Sequence, residues 1–164
     1  MKKLLSFTLI ATLLLALISA PSIAEVQELS VVLNGEILEF DVPPQIINDR
    51  TMVPMRIIFE AMGKGIQWIG AEHHEEINIT FPAAAVAYND YMEFAFIIGD
   101  DYAYRWDRGT GENLEQIPLD SPAVIIDGRT LVPVRAVAEG FGADVGWDPY
   151  TRTVIINTDT TPHL

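Results

Sequence analysis

Two stretches of the chain carry apolar residues at helical spacing. Met55, Ile58, Phe59 and Met62 fall at i, i+3, i+4 and i+7, and Val134, Val137, Ala138 and Phe141 repeat that spacing. Each set is the apolar stripe of a short amphipathic helix. Pro54 and Pro133 stand where a first helical residue needs no N–H, and Gly63 and Gly142 stand where a left-handed C′ residue ends the helix. About nine residues do not make a helix that is stable alone, so each stripe is expected to lie on a sheet. Most of the remaining pattern is β-like. Leu29 to Leu33 and Ile37 to Phe40 flank Asn34-Gly35, a strong hairpin signal. Tyr91 to Ile98 alternates, and Tyr102 to Trp106 and Leu114 to Pro118 flank the Gly-rich turn from Asp107 to Asn113. The Pro-Ala-Ala-Ala stretch at 82–85 reads either as a connector or as a short edge strand.

The two helices belong to longer matching segments. Shifted by 79 residues, Val42 to Trp68 aligns without a gap on Ser121 to Trp147, with 11 identities in 27 positions. Pro43, Ile46, Ile47, Arg50, Thr51, Val53, Pro54, Arg56, Glu60, Gly63 and Trp68 each meet their own residue type. That is the mark of an internal repeat. In both copies an apolar extended piece (Gln45 to Ile47, Val124 to Ile126) precedes a polar turn, Asn48-Asp49 or Asp127-Gly128. Arg-Thr-x-Val-Pro, the helix, the glycine and a Trp-bearing strand follow. A last alternating strand is expected at Ile77 to Ile79 in the first copy and Thr153 to Ile156 in the second. The expected fold is α+β: two duplicated units, about 29–80 and 102–158, each a short helix packed on a twisted antiparallel β-sheet. A unit of this size is marginal alone, so the two are expected to share one core.

These motifs resemble the copper amine oxidase N-terminal-like domain found in secreted and surface proteins of Gram-positive bacteria. The resemblance spans about Leu29 to Asn157, and the second copy, GRTLVPVRAVAEGFGADVGWD followed by Thr151 to Val154, is the closer match. The first copy departs from it: Ile69 replaces the Asp after Trp, and AEHHEE adds two residues before the last strand. The resemblance implies a stalk-type domain, an antiparallel sheet twisted around a helix, and neither copper nor amine oxidation.

The N-terminus leads to the expectation that this domain lies outside the cell. Lys2 and Lys3, a 15-residue apolar run and a small-x-small end at Ser22 and Ala24 describe a secretory signal peptide, residues 1–24, cleaved after Ala24. The alternative is a retained membrane anchor, but the run is shorter than a spanning helix requires. The domain then occupies 25–164 as a secreted, extracellular protein, with cell-wall association a further expectation and no transmembrane span after cleavage. There is no cysteine, so no disulfide and no thiolate metal site. Without residues 1–24 the chain holds 8 basic and 23 acidic residues, about −15 net, and Lys64 is its one lysine. Such a surface repels phosphate backbones, which excludes nucleic acid as a partner.

No residue set calls for catalysis or a cofactor. An amine oxidase needs a quinone-forming Tyr after Asn and three His ligands; here Asn89-Asp90-Tyr91 has the wrong order and the histidines are His73, His74 and His163. His73 and His74 are the weak metal candidates, but neighbours on a strand face opposite ways and the plain reading is an exposed acidic turn. The 107–113 loop lacks the register of a calcium loop. Arg56/Glu60 and Arg135/Glu139 sit at i, i+4 opposite the apolar stripe and read as structural ion pairs, with Arg135 expected to hold the Pro–helix junction. Together with Trp68 and Trp147 they form the structural signature. Tyr102, Tyr104 and Trp106 are the candidate ligand surface, offering rings to carbohydrate, against the plain reading of half-buried strand residues. The expected role is a non-catalytic binding or spacer module contacting cell-wall polysaccharide or another surface protein. The alternative is a stalk that self-associates, as a homodimer.

Overall fold

A computed structural model describes residues 28–158. The expected signal peptide and His163 lie outside the described residues. Strands β1 (Ser30–Leu33), β2 (Glu36–Ile37), β3 (Gln45–Ile47) and β4 (Arg50–Pro54) lead into helix α1 (Met55–Ala61). After it come β5 (Gly65–Ile69), β6 (Glu72–His74), β7 (Ile79–Phe81), β8 (Ala84–Tyr88), β9 (Met92–Ile97), β10 (Tyr102–Asp107) and β11 (Glu115–Pro118). Then follow β12 (Val124–Ile126), β13 (Arg129–Pro133), helix α2 (Val134–Gly140), β14 (Asp144–Asp148) and β15 (Thr153–Asn157). The fold is mostly β-sheet with two short helices.

Arg-Thr-x-Val-Pro is a strand, not a lead into the helix. Asn48-Asp49 and Asp127-Gly128 both carry positive φ, as Asn34-Gly35 does, so all three two-residue loops close tight hairpins. Pro54 and Pro133 end strands β4 and β13 and sit at the N-cap with ψ of 110° and 119°, one position before the expected first helical residue. Each helix has seven residues, fewer than the pattern predicts. The glycine stops are where they were expected. Gly63 N–H donates to Glu60 O (2.9 Å) and Lys64 N–H to Phe59 O (2.7 Å); Gly142 and Ala143 repeat this onto Glu139 and Ala138, both at 2.9 Å. That is the two-bond C-terminal motif in which a left-handed glycine satisfies the last carbonyls.

Strands β4 and β13 pair antiparallel at the centre of the sheet β12-β13-β4-β3. Val53 faces Val132, Met52 faces Pro133 and Pro54 faces Leu131. Exchanging every residue for the one 79 positions away leaves this register unchanged, so this strand pairing is symmetric about Val53 and Val132.

Two sheets flank it, and both depart from the expected pairing. In β14-β15-β1-β2 the N-terminal strand lies parallel to the C-terminal one, Ser30 opposite Thr153, so the sheet is not purely antiparallel. The chain reaches this neighbour only after running through the whole domain, and no hairpin dictates an antiparallel return. In β11-β10-β9-β8-β5 the partner of β5 is β8 and not Ile77 to Ile79. The Pro-Ala-Ala-Ala stretch is therefore neither connector nor edge. Ala84 and Ala85 open β8, an inner strand with Ala84, Ala85, Val86 and Ala87 all buried.

This five-stranded sheet is covered on both faces. Ala85, Ala87, Phe94 and Phe96 face the main core, which holds both helices; Phe59 of α1 meets Phe141 edge-on at 5.2 Å. Ala84, Val86, Ala95 and Ile97 face a second core closed by the β6–β7 hairpin, with Phe81 and Trp106 at its centre.

Candidate functional site

Arg50 begins β4 and Arg129 begins β13, at positions 79 apart, and each reaches across to the other half. Arg50 Nε donates to Asp120, and Arg129 Nε donates to Asp41 Oδ2 at 2.8 Å. Asp41 and Asp120 are themselves 79 apart, so the two ion pairs are reciprocal copies of one latch. Each Arg also donates from Nη1 to the preceding turn carbonyl, Asp49 O at 3.2 Å or Gly128 O at 3.3 Å. The Arg129 side chain beside Asp41 holds its carboxyl below the ordinary value, first by its hydrogen bond, which outweighs the opposing desolvation, then by its charge, with the Val42 N–H adding to it.

Each latch forms one wall of a cleft, and each cleft is built from both halves. In the larger, about 530 Å³, Ile46, Arg50 and Thr51 of the first half oppose Asp120, Arg135 and Trp147 of the second. In the smaller, about 240 Å³, Arg129 and Thr130 of the second half oppose Asp41, Arg56 and Trp68 of the first. The two linings differ at matching positions, Met55 and Ile66 in the small cleft standing where the large one has Val134 and Val145. Both tryptophans are half exposed, Trp147 at 43% and Trp68 at 49%, and Ile46 and Ile125 are each 51% exposed. An indole face beside a paired guanidinium and carboxylate can stack on an apolar ring face while bonding the polar groups at its rim.

The candidate ligand surface of Tyr102, Tyr104 and Trp106 is not assembled. Trp106 is 1% exposed and packs against the His74 ring at 5.0 Å. Tyr104 leans on Phe81 at 6.0 Å, and its hydroxyl accepts from Gln116 Nε2 at 3.2 Å. Tyr102 alone is exposed. The ring face that alternation assigns to one side of β10 is real, but the β6–β7 hairpin covers it.

His73 and His74 point to opposite faces of β6. His73 Nδ1 lies 3.0 Å from Thr80 Oγ1, while His74 Nε2 lies 3.5 Å from Glu93 Oε2, a carboxylate also held by Arg108 at 3.1 Å. Among the described residues no three His, Cys, Asp or Glu side chains gather in a way that could hold a metal ion. The 107–113 loop binds itself, Asn113 Nδ2 donating to Asp107 Oδ2 at 2.7 Å, and presses Gly111 on the Glu76 backbone.

The helical pairs form as spaced, Arg56 to Glu60 at 3.2 Å and Arg135 to Glu139 at 3.7 Å, both well exposed. Neither Arg anchors a Pro–helix junction; the two arginines border the clefts, and the latches tie the halves. Asp41 and Asp120 are the latch residues that the sequence reading missed. The signal was present, since extending the 79-residue alignment by one position back from Val42 adds this identity.

A profile of the family described as copper amine oxidase N-terminal domain matches residues 32–156. The chain belongs to the copper amine oxidase N-terminal domain family. In the oxidases this domain is a non-catalytic module, and the matched span contains both helices, both latches and both clefts. No curated protein and no solved structure matches the chain. Among the described residues no helix is long and apolar enough to cross a membrane.

Proposed function

We propose that this copper amine oxidase N-terminal domain is a secreted, non-catalytic binding module of the cell surface that contacts cell-wall carbohydrate. It is a pair of duplicated units sharing one core. The observation that carries the reading is the placement of Trp68 and Trp147. Core packing explains why Val53 and Val132 match, and turn geometry explains the glycines, but neither explains two matching tryptophans left half in solvent. Exposed indoles bordered by ion-paired polar groups favour a ligand with an apolar face and a hydroxylated rim. Incubating the purified domain with isolated Gram-positive cell walls tests this. Retention in the wall pellet is expected; full recovery in the supernatant removes the reading.

A second reading, self-association as a stalk, draws support from the outer strands β3 and β12. Each is a free sheet edge with an exposed isoleucine, Ile46 or Ile125, where a second copy can pair. Sizing chromatography separates the two: a dimer that ignores cell walls favours the stalk, and a monomer retained on them favours the binding module.

A further inference from the structure

We propose that the two clefts are unequal binding sites for a neutral, equatorially linked oligosaccharide, the larger one strong and the smaller one weak. This rests on the carbohydrate reading above and specifies its ligand, its residues and its stoichiometry.

The chemistry of the walls selects the ligand. In the larger cleft Arg50 is paired with Asp120 and Arg135 with Glu139, so the cationic groups are already neutralised and offer directed hydrogen bonds instead of net charge. The smaller cleft repeats this with Arg129 on Asp41 and Arg56 on Glu60. The chain as a whole is −13, which repels polyphosphates and polyuronates before they reach either site. Anionic ligands are disfavoured on both counts, and an uncharged one with a flat apolar face for the indole and hydroxyls at its edge fits these walls, Asp49 in the larger cleft adding a further acceptor. Pyranose rings with equatorial linkages have that shape, since their axial C–H bonds cover both ring faces.

Size then ranks the two sites. A volume of about 530 Å³ falls within the range of small-ligand pockets, roughly 300–1,000 Å³, and about 240 Å³ falls below it. The larger cleft has room for a sugar beside Trp147 and Ile46, and the smaller one beside Trp68 has less than half that volume. The sites also share an origin. Neither half holds a complete cleft, because each latch takes its Arg from one half and its Asp from the other.

Calorimetric titration of the intact chain with two probes, cellotetraose and the β-1,4-linked N-acetylglucosamine tetramer, tests this. At least one probe is expected to bind with two sites of different affinity, unaffected by polygalacturonate. Trp147→Ala is expected to weaken the stronger site at least about tenfold, and Trp147→Phe to restore most of the loss by keeping a ring face. Trp68→Ala is expected to leave the strong site intact and abolish the weak one. Melting curves of each variant show that it is folded. Binding by Trp147→Ala and Trp68→Ala equal to that of the parent overturns the assignment to the clefts and leaves wall binding standing. Competition by polygalacturonate overturns the neutral ligand. If neither tetramer binds while the domain still sediments with walls, the inference falls alone. If it also fails to sediment, the carbohydrate reading falls with it.

Discussion

At the scale of residues, tryptophans exchange the roles that their patterns predict. Trp106, a candidate for a ligand surface against the plain reading of a half-buried strand residue, is core; Trp68 and Trp147, read as structural markers, stand half in solvent. Alternation along a strand separates two faces but does not say which face is wet. Here the hairpin made by the AEHHEE insertion and its return strand covers the Trp106 face, so Trp106 is as dry as Ala103 on the opposite face of β10. Stability measurements separate the two kinds of residue. Trp106→Ala should cost about 3–5 kcal/mol in urea unfolding by emptying the second core, and Trp147→Ala no more than about 1 kcal/mol. The acid limb of the stability curve belongs to this scale too. Asp41 is held below its ordinary 3.8 by Arg129, and Asp148 by the Thr151 hydroxyl and then the Tyr150 N–H. A carboxyl lowered in the folded state contributes stability above its unfolded value and loses it as pH falls through the folded one. Replacing both by Asn should therefore lower the melting temperature at pH 6 and flatten its decline below about pH 4. An unchanged acid limb would show that neither carboxylate is linked to folding.

At the scale of elements, the helices were the most legible parts of the chain. Apolar spacing and glycine stops placed both, because a buried stripe and a left-handed C′ residue are local requirements. The prolines misled by one position, because β4 and β13 run through them to the helix start. Strand β8 was legible only as a connector or a short edge strand, because alanine has low β propensity and Pro82 precedes the run. Only its inner position, where small side chains fit beneath Phe59 and the helices, makes sense of it. Local rules fail in the same way at Gly140, the last residue of α2. Helix propensity favours Gly140→Ala by about 1 kcal/mol. A Cβ there would sit 2.2 Å from Cε1 of the fully buried Phe94, and such overpacking costs about 1–3 kcal/mol. The substitution is expected to lower stability on balance, although the matching position in α1 is Ala61; a rise in melting temperature would mean that Phe94 moves freely.

At the scale of the molecule, the domain closes on itself. Both helices occupy one core, β4 and β13 share a sheet, and β1 lies against β15. Cross-half pairing of this kind is invisible to a repeat alignment, which compares the halves without joining them; the reciprocal latches show it only once the chain is folded. Such a fold should unfold in a single transition, and a chain ending at Tyr150 should show none, since β1 and β14 both lose their partner β15. A cooperative melt from the shortened chain would mean that the halves stand independently. The central claim is that carbohydrate meets the protein at the two exposed indoles, and the third tryptophan provides an internal control. In a two-dimensional nitrogen–proton spectrum the three indole N–H signals are resolved by substitution and followed as soluble cell-wall glycan is added. The Trp147 signal, and more weakly that of Trp68, should shift while Trp106 stays fixed. Equal movement of all three, or movement of Trp106 alone, would contradict the account.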